Sequence, residues 1–488
     1  MTPRIWLSVM LAAALMLVLA FRTSVSESRQ WLAGDSHIHS HWSVGYDRRQ
    51  GPPRVLKGQE GIYSTPRNAV MARQFGLRWM VTTDHGGPNH SQLNFEQAYR
   101  ELTLSRTLVP EVLQFYGMEL NMPGMDHHTL IIPKAEDEAA VLWDIESQFD
   151  QNEDWQLPPD PHRRTPDARR RALEYMAKLD ELPLLFANHP SRSALAIGVY
   201  GLDSPTEFRE NNTLAPDVYR GMEGAPGHQA STLTPDGAPG RVDARGRLRA
   251  RGGYQRRGAH TMGGFDQMTA IVGGLWDALL GEGRRFWVVA TSDSHAHYAD
   301  QARQGSDFWP GEFHKTYVFA RPEFGDVLDG LRQGRVFAVA GDLISELDVM
   351  VIGGGERAEM GSTLRLTAGT PVDLTMTFRD PVGLNAGGVD PTVARVDLIM
   401  GRVQGPLSDS RIDRNPTTRV IARFGQAAWR ARGDEYTITT RLPALDHSVY
   451  VRVRGTSTDD TEPPMDAPGE NPWTDLWFYS NPIFIEVE

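Results

Sequence analysis

The 488-residue sequence contains no cysteine, which excludes disulfides, thiolate metal ligands and a cysteine nucleophile. Lysine is nearly missing too: only four of the 50 basic residues are Lys, and the arginines form no long block. With 62 acidic residues and a net charge of −12, no stretch can neutralise a row of phosphates, so nucleic acid is not an expected partner. Long apolar runs are absent except for residues 5–20, which follow Arg4 and precede Arg22. That run falls slightly short of the ~20 residues of a comfortable bilayer span and has a signal-peptide layout. Residues 1–28 are therefore expected to be a signal peptide or, if uncleaved, an anchor. The expected location is periplasmic or secreted, with membrane contact only through that segment.

A chain of this length, 40% apolar and 23% charged, exceeds what one core usually serves, so two domains are expected. From 31 to 340, strand-like runs at 78–83, 130–132, 183–187 and 286–291 alternate with helical stretches. This pattern predicts an α/β domain with a largely parallel sheet. Thr65-Pro66 and Thr165-Pro166 each read as an N-cap followed by proline at the first helical position. Residues 226–264, rich in Gly, Arg and Pro, show no apolar period and read as a loop insertion that could cover a site. From 341 to 488 the period becomes two, as in Val372, Leu374, Met376 and Phe378, and predicts a separate all-β, sandwich-like domain.

Five places put metal-binding side chains where a strand meets a loop. In Asp35-Ser36-His37-Ile38-His39-Ser40-His41, strand alternation points His37 and His39 to one face. Thr83-Asp84-His85 ends a second apolar run beside two glycines, and Glu119 precedes Asp126-His127-His128 at the start of a third. Asn188-His189-Pro190 follows a fourth strand, and Ser292-Asp293-Ser294-His295-Ala296-His297 follows a fifth. Any one of these is commonplace on a surface. Together they hold nine of the 15 histidines, which chance would scatter.

In this order the motifs resemble those of the PHP (polymerase and histidinol phosphatase) superfamily of metal-dependent hydrolases, over about residues 34–339. The resemblance implies a distorted (βα)7 barrel and two or three divalent ions, Zn, Mn or Fe. It implies that His37, His39, Glu119 and Asp293 hold one ion and that Glu119, His128 and His189 hold a second. His85, with Asp84 beside it, and His295 would serve a third, for which His41 or Asp47 stands in for a ligand the family often supplies near the first pair. Of His127 and His128, the latter is favoured because it immediately precedes the apolar run. Lys315-Thr316-Tyr317, Gly334-Arg335-Val336 and the closing Tyr479-Ser480-Asn481-Pro482 look like the exported branch that includes carbaryl hydrolase.

Such a centre lowers the pKa of a bridging water from ~16 towards ~7 and polarises an ester. The expected substrate is a small-molecule ester, first a phosphoester, with carboxyl or carbamate esters as the alternative and a metal-stabilised binding protein as the third reading. Arg192 and Lys315 are candidates to hold an anionic group, and His297 to protonate the leaving group. Neither substrate identity nor oligomeric state follows from the sequence.

Overall fold

The structure, a computed structural model, describes residues 28–47, 54–154, 160–252, 254 and 260–488. The expected leader lies outside these apart from residue 28. No helix among the described residues is long and apolar enough to cross a membrane.

The first strands are β1 (Gln30–Ile38), the hairpin β2 (Gly45–Asp47) and β3 (Arg54–Leu56), β4 (Trp79–Thr82), β5 (Leu113–Asn121) and β6 (His127–Ile132). They are followed by β7 (Leu184–Ala187), β8 (Tyr219–Ala225), β9 (Trp287–Ala290), β10 (His314–Ala320) and β11 (Val336–Ala340). β4, β7 and β9 are buried at every residue, as strands covered on both faces must be. Helices 65–74, 166–176 and 205–214 each start on a Ser or Thr cap with proline in the first turn. The first cap is Ser64, whose hydroxyl accepts from Arg67 N, and not Thr65, whose own N–H goes to Glu101.

The sheet order is β11-β10-β1-β4-β5-β6-β7-β8-β9. It is mixed where a largely parallel sheet was expected: β6 runs antiparallel to β5 and β7. The reason is the link of residues 122–126, a tight turn with Gly124 at φ +73°, too short for the crossover that parallel pairing needs. At the far end, two side chains replace a ladder and draw β9 against β10 and β11. Thr316 Oγ1 accepts from Ala290 N and donates to Ala290 O, both at 2.7 Å. Asn481 accepts from Val288 N and donates to the carbonyls of Val288 and Val336.

The remaining strands are β12 (Glu346–Gly353), β13 (Glu356–Glu359), β14 (Thr363–Leu366), β15 (Val372–Arg379), β16 (Arg395–Arg402) and β17 (Arg419–Gly425). β18 (Arg430–Arg432), β19 (Glu435–Arg441), β20 (Val449–Thr456), β21 (Trp477–Ser480) and β22 (Ile483–Val487) complete the chain. The sheet does not break near residue 341. β11 pairs with β21, and β20, β22, β14, β16 and β17 continue the same 15-stranded sheet. Only β13-β12-β15-β19-β18 form a second sheet, whose buried face carries Val372, Leu374, Met376 and Phe378. Arg452 of β20 closes two hydrogen bonds on Asp277 of helix 275–281, so the β-rich tail and the first part share one core.

Candidate metal centre

Strand ends carry the five motifs to one place. β1 delivers His37 and His39, whose Nε2 atoms lie 2.9 Å apart and 3.2 and 3.1 Å from Asp293 Oδ1. Ile38 forms a bridge with Ser294, which brings the chain beyond β9 alongside β1. Glu119, next to last but one in β5, is central. Its Oε1 is 2.9 Å from both His189 Nε2 and His127 Nδ1 and 3.3 Å from His37 Nε2. Its Oε2 is 2.6 Å from His85 Nδ1 and 3.5 Å from His39 Nε2. His85 and His295 approach Nε2 to Nε2 at 3.2 Å, and the His295 ring stacks on His39 with centroids 3.7 Å apart.

These spacings fit shared cations. Ligand atoms about 2.1 Å from one ion at tetrahedral or octahedral angles stand about 3.0–3.4 Å apart. His37, His39 and Asp293 satisfy this, while His85, Glu119 and His127, His39, His85 and His295, and His228, Asp293 and His295 each bring one donor atom per residue within 4.8 Å of the others. Glu119 Oε2 and Asp293 Oδ1 are buried and form no hydrogen bond with the imidazoles beside them. Acceptors of this kind are costly to bury unless something else meets them.

The surrounding groups aim the ligands. Glu223 of β8 lies 2.6 Å from His37 Nδ1, accepts the His189 N–H at 2.6 Å and takes the Thr291 hydroxyl. Asp84 accepts from Ser40 N and from the hydroxyls of Ser40 and Ser43, and Ser43 Oγ sits 2.8 Å from His39 Nδ1. Asp35 takes the N–H groups of His37 and Ser292, and burial pushes its carboxyl up to about 7 against those bonds. Burial opposes ionisation of Glu119, yet His127, His85 and His37 hold its pKa well below the usual range. Burial likewise opposes protonation of His37, but Asp293, Glu119 and Glu223 raise its pKa well above normal. Of the five non-glycine residues with positive φ among those described, His189, His228 and Asp293 belong to this cluster, where backbone strain is characteristic of function.

The structure revises several sequence expectations. His127, not His128, faces Glu119; His128 is fully buried with Nε2 on the Tyr219 hydroxyl and Nδ1 on the Asp126 carbonyl. Asp84 is consumed by serines and supports His39 rather than joining the donor cluster. His41 turns to Glu101, 2.8 Å away, and Asp47 lies in the β2–β3 hairpin, in none of the donor groups. His297 is held by Glu312 and stacked on Trp309, and Lys315 pairs with Asp342 at 2.5 Å; neither lines the cleft above the cluster. Arg192 does line it, with Nη2 2.7 Å from Asp126 Oδ1 and 3.5 Å from His127 Nδ1.

Two residues of the cluster and its support escaped the sequence reading. His228 places Nε2 2.7 Å from Asp293 Oδ2 and Nδ1 2.5 Å from Asp307 Oδ1. It does so because Gly227 packs directly on the Ser292 carbonyl, where a side chain would collide. Glu223 was the more legible of the two: a carboxylate between two glycines near the end of a short apolar strand. The cluster floors a cleft of about 1070 Å³ that also exposes His85, His127, Tyr46, Arg251 and Arg303.

No family model and no curated protein matches the chain. Among solved structures, the crystal structure of a chitin binding domain from Burkholderia pseudomallei is similar at 9% identity, over 26% of this chain and 57% of that one, with a TM-score of 0.16. A likeness that slight carries no argument about fold or function.

Proposed function

We propose that this chain is a metal-dependent hydrolase that cleaves an ester, a phosphoester first, and that it acts outside the cytoplasm. The observation that carries the reading is the convergence of seven imidazoles, from His37, His39, His85, His127, His189, His228 and His295, on the buried carboxylates of Glu119 and Asp293 at the floor of an open cleft. The PHP-like order of the motifs supports it, and so does the contact of β9 with β10 and β11, which suits a distorted barrel. The apolar leader supports export. Two or three divalent ions of the Zn, Mn or Fe kind, held by these side chains, would supply Lewis acidity and hydroxide near neutral pH.

The protein's own groups do the rest. Glu223 and the Asp84–Ser43 pair fix the rotation of His37 and His39, so the donors meet without reorganisation. Arg192, tethered by Asp126 beside His127, holds an anionic oxygen of the substrate. His297 and Lys315 take no part, because their partners occupy them away from the cleft.

Metal analysis of the purified protein, combined with hydrolysis of bis(4-nitrophenyl) phosphate and 4-nitrophenyl acetate with added Mn²⁺ or Zn²⁺, tests the proposal. Two to three metal equivalents are expected, with the phosphate ester preferred and a loss of at least ~100-fold in the His37→Ala/His39→Ala variant. Preference for the acetate would transfer the reading to carboxyl or carbamate esters. Equal rates in the protein and the double variant would leave only metal-stabilised binding.

A further inference from the structure

Many arginines of this molecule close on carboxylates, but three beside the cleft do not. In the segment 241–251, Arg247 and Arg249 both fork onto Asp243. Their neighbour Arg251 instead donates to the carbonyl and side-chain oxygen of Gln304. Arg303 donates from Nη1 to the Gly58 carbonyl, and its other guanidinium nitrogens have no partner among the described residues. Arg241, 9% exposed, spends its fork on the carbonyls of Leu233 and Gly305 and keeps Nη1 buried without a partner. None of the three forms an ion pair among the described residues.

Their position gives this excess charge a direction. Arg251 and Arg303 line the same cleft as His85, His127 and His295; Arg303 lies on the stretch of chain that leads from the Asp293 motif to Asp307, and Arg251 is hydrogen-bonded to Gln304 of that stretch. That stretch is fixed: Asp307 accepts the N–H groups of His295 and Ala296, and Gly305 packs so tightly on the Ala296 carbonyl that a side chain would not fit. Burial, and then the neighbouring Arg251, lower the Arg241 pKa to about 10, which still leaves a full positive charge. The exposed carboxylate on this cleft is Glu60, 3.7 Å from His85 Nε2, and it pairs with none of these arginines. Guanidiniums whose carbonyl partners fix the side chain but leave its charge unmet form a preorganised receptor for a carboxylate or phosphate.

We propose that Arg251 and Arg303, backed by Arg241, form a subsite that binds a second anionic group of the substrate, remote from the bond that is cleaved. The substrate class is thus an ester bearing an additional carboxylate or phosphate. This deepens the hydrolase reading above and rests on it. Anion capture here raises affinity and the association rate more than it assists the chemical step, so it should be sensitive to ionic strength.

The test compares two 4-nitrophenyl phosphodiesters whose second substituent ends in a carboxylate or in the matching carboxamide. The expected result is a kcat/KM for the carboxylate at least ~10-fold above the carboxamide, carried mainly by KM. In Arg251→Gln/Arg303→Gln that ratio should fall to near one, while Arg247→Gln, which removes a charge from the same segment, should keep it. Retained folding of the variants is checked by their melting temperature. A ratio near one in the unaltered protein, or one unmoved by the double substitution, overturns the subsite. If neither diester is hydrolysed, the phosphoester reading fails by itself. The subsite is then decided by calorimetric titration with benzene-1,3,5-tricarboxylate: binding lost in the double variant upholds it, and no binding in the unaltered protein ends it.

Discussion

Two groups of fully buried charges in this molecule are wired in opposite ways. Between helix 275–281 and β20, Asp277 takes Arg452 Nε at 2.9 Å and Nη2 at 2.7 Å, the Tyr450 hydroxyl at 2.9 Å and the Gly273 N–H, and the guanidinium lies over the Trp276 ring. At the cleft floor, Glu119 and Asp293 are equally buried, yet each keeps an oxygen with no hydrogen bond in a ring of imidazoles that cannot all donate. The first group is closed on the acceptor side: both Asp277 oxygens are met within the protein, and Arg452 Nη1 alone of its guanidinium stays without a partner among the described residues. The second is open, and its mismatch is what a cation would resolve. Burial alone therefore does not mark a functional site; burial with unmet acceptors at ion-like spacing does.

The largest effect should come from the open cluster. Glu119→Gln keeps the shape but removes the charge that touches His37, His39, His85, His127 and His189. On the proposed function, metal content should drop by at least one equivalent and ester hydrolysis by ~1000-fold or more, because a carboxylate set among five imidazoles would serve more than one ion. Full metal loading in this variant, measured by elemental analysis, would refute the central role of Glu119.

In the closed cluster the same logic predicts a stability effect and no metal effect. Asp277→Ala strands Arg452 in the core and should cost about 3–5 kcal/mol in urea unfolding. Adding Arg452→Met should recover much of that loss, since the pair as a whole contributes little over an apolar replacement. If the double variant is no more stable than the single one, the cost does not come from an Arg452 charge left unpaired.

His90 and Glu146 make a second closed pair, with Nδ1 to Oε1 at 2.5 Å, His90 Nε2 on the Trp42 carbonyl and Asn94 on the other carboxylate oxygen. Burial resists charging of His90, but Glu146 outweighs it and lifts the pKa to about 9. A histidine raised in the folded state from an ordinary ~6.5 gives stability that is complete below about pH 6.5 and lost as the pH passes 9, about 3 kcal/mol at most. Unfolding free energy measured from pH 6 to 10 should show that decline, and His90→Gln should flatten it.

His127 and His128 show which parts were legible in the sequence. Alternation placed His37, in β1, together with His39, one residue past its end, because a single local stretch needs no partner to define a face. Choosing between adjacent histidines in β6 needs the register with β5, which no local pattern contains. Glu119 pairs with Thr129, so the residue two before Thr129 shares its face, and that residue is His127. His128 then points the other way, to Tyr219. His228 was hidden for a related reason: its place depends on Gly227 meeting Ser292, a contact between distant segments. The β tail was legible in its period but not in its pairing, because β11–β21 joins residues that are far apart in the chain. His127→Ala should thus weaken metal binding by ~10- to 100-fold while His128→Ala leaves loading intact and lowers stability.

The smallest predicted effect sharpens the comparison from the neutral side. Asn481 spans the seam between β9 and β11 with three hydrogen bonds, from Val288 N and to the carbonyls of Val288 and Val336, and is fully buried. Asn481→Ala leaves those backbone groups unmet, a cost of about 1–3 kcal/mol, at a place that does not touch the donor cluster. Because β9 leads directly into the Asp293 motif, the seam also fixes where that motif begins. A loss of stability at unchanged metal stoichiometry would make the seam a fastening, independent of the open cluster. A loss of metal alongside it would mean that β9 must be held against its neighbours before Asp293 can meet His37 and His39.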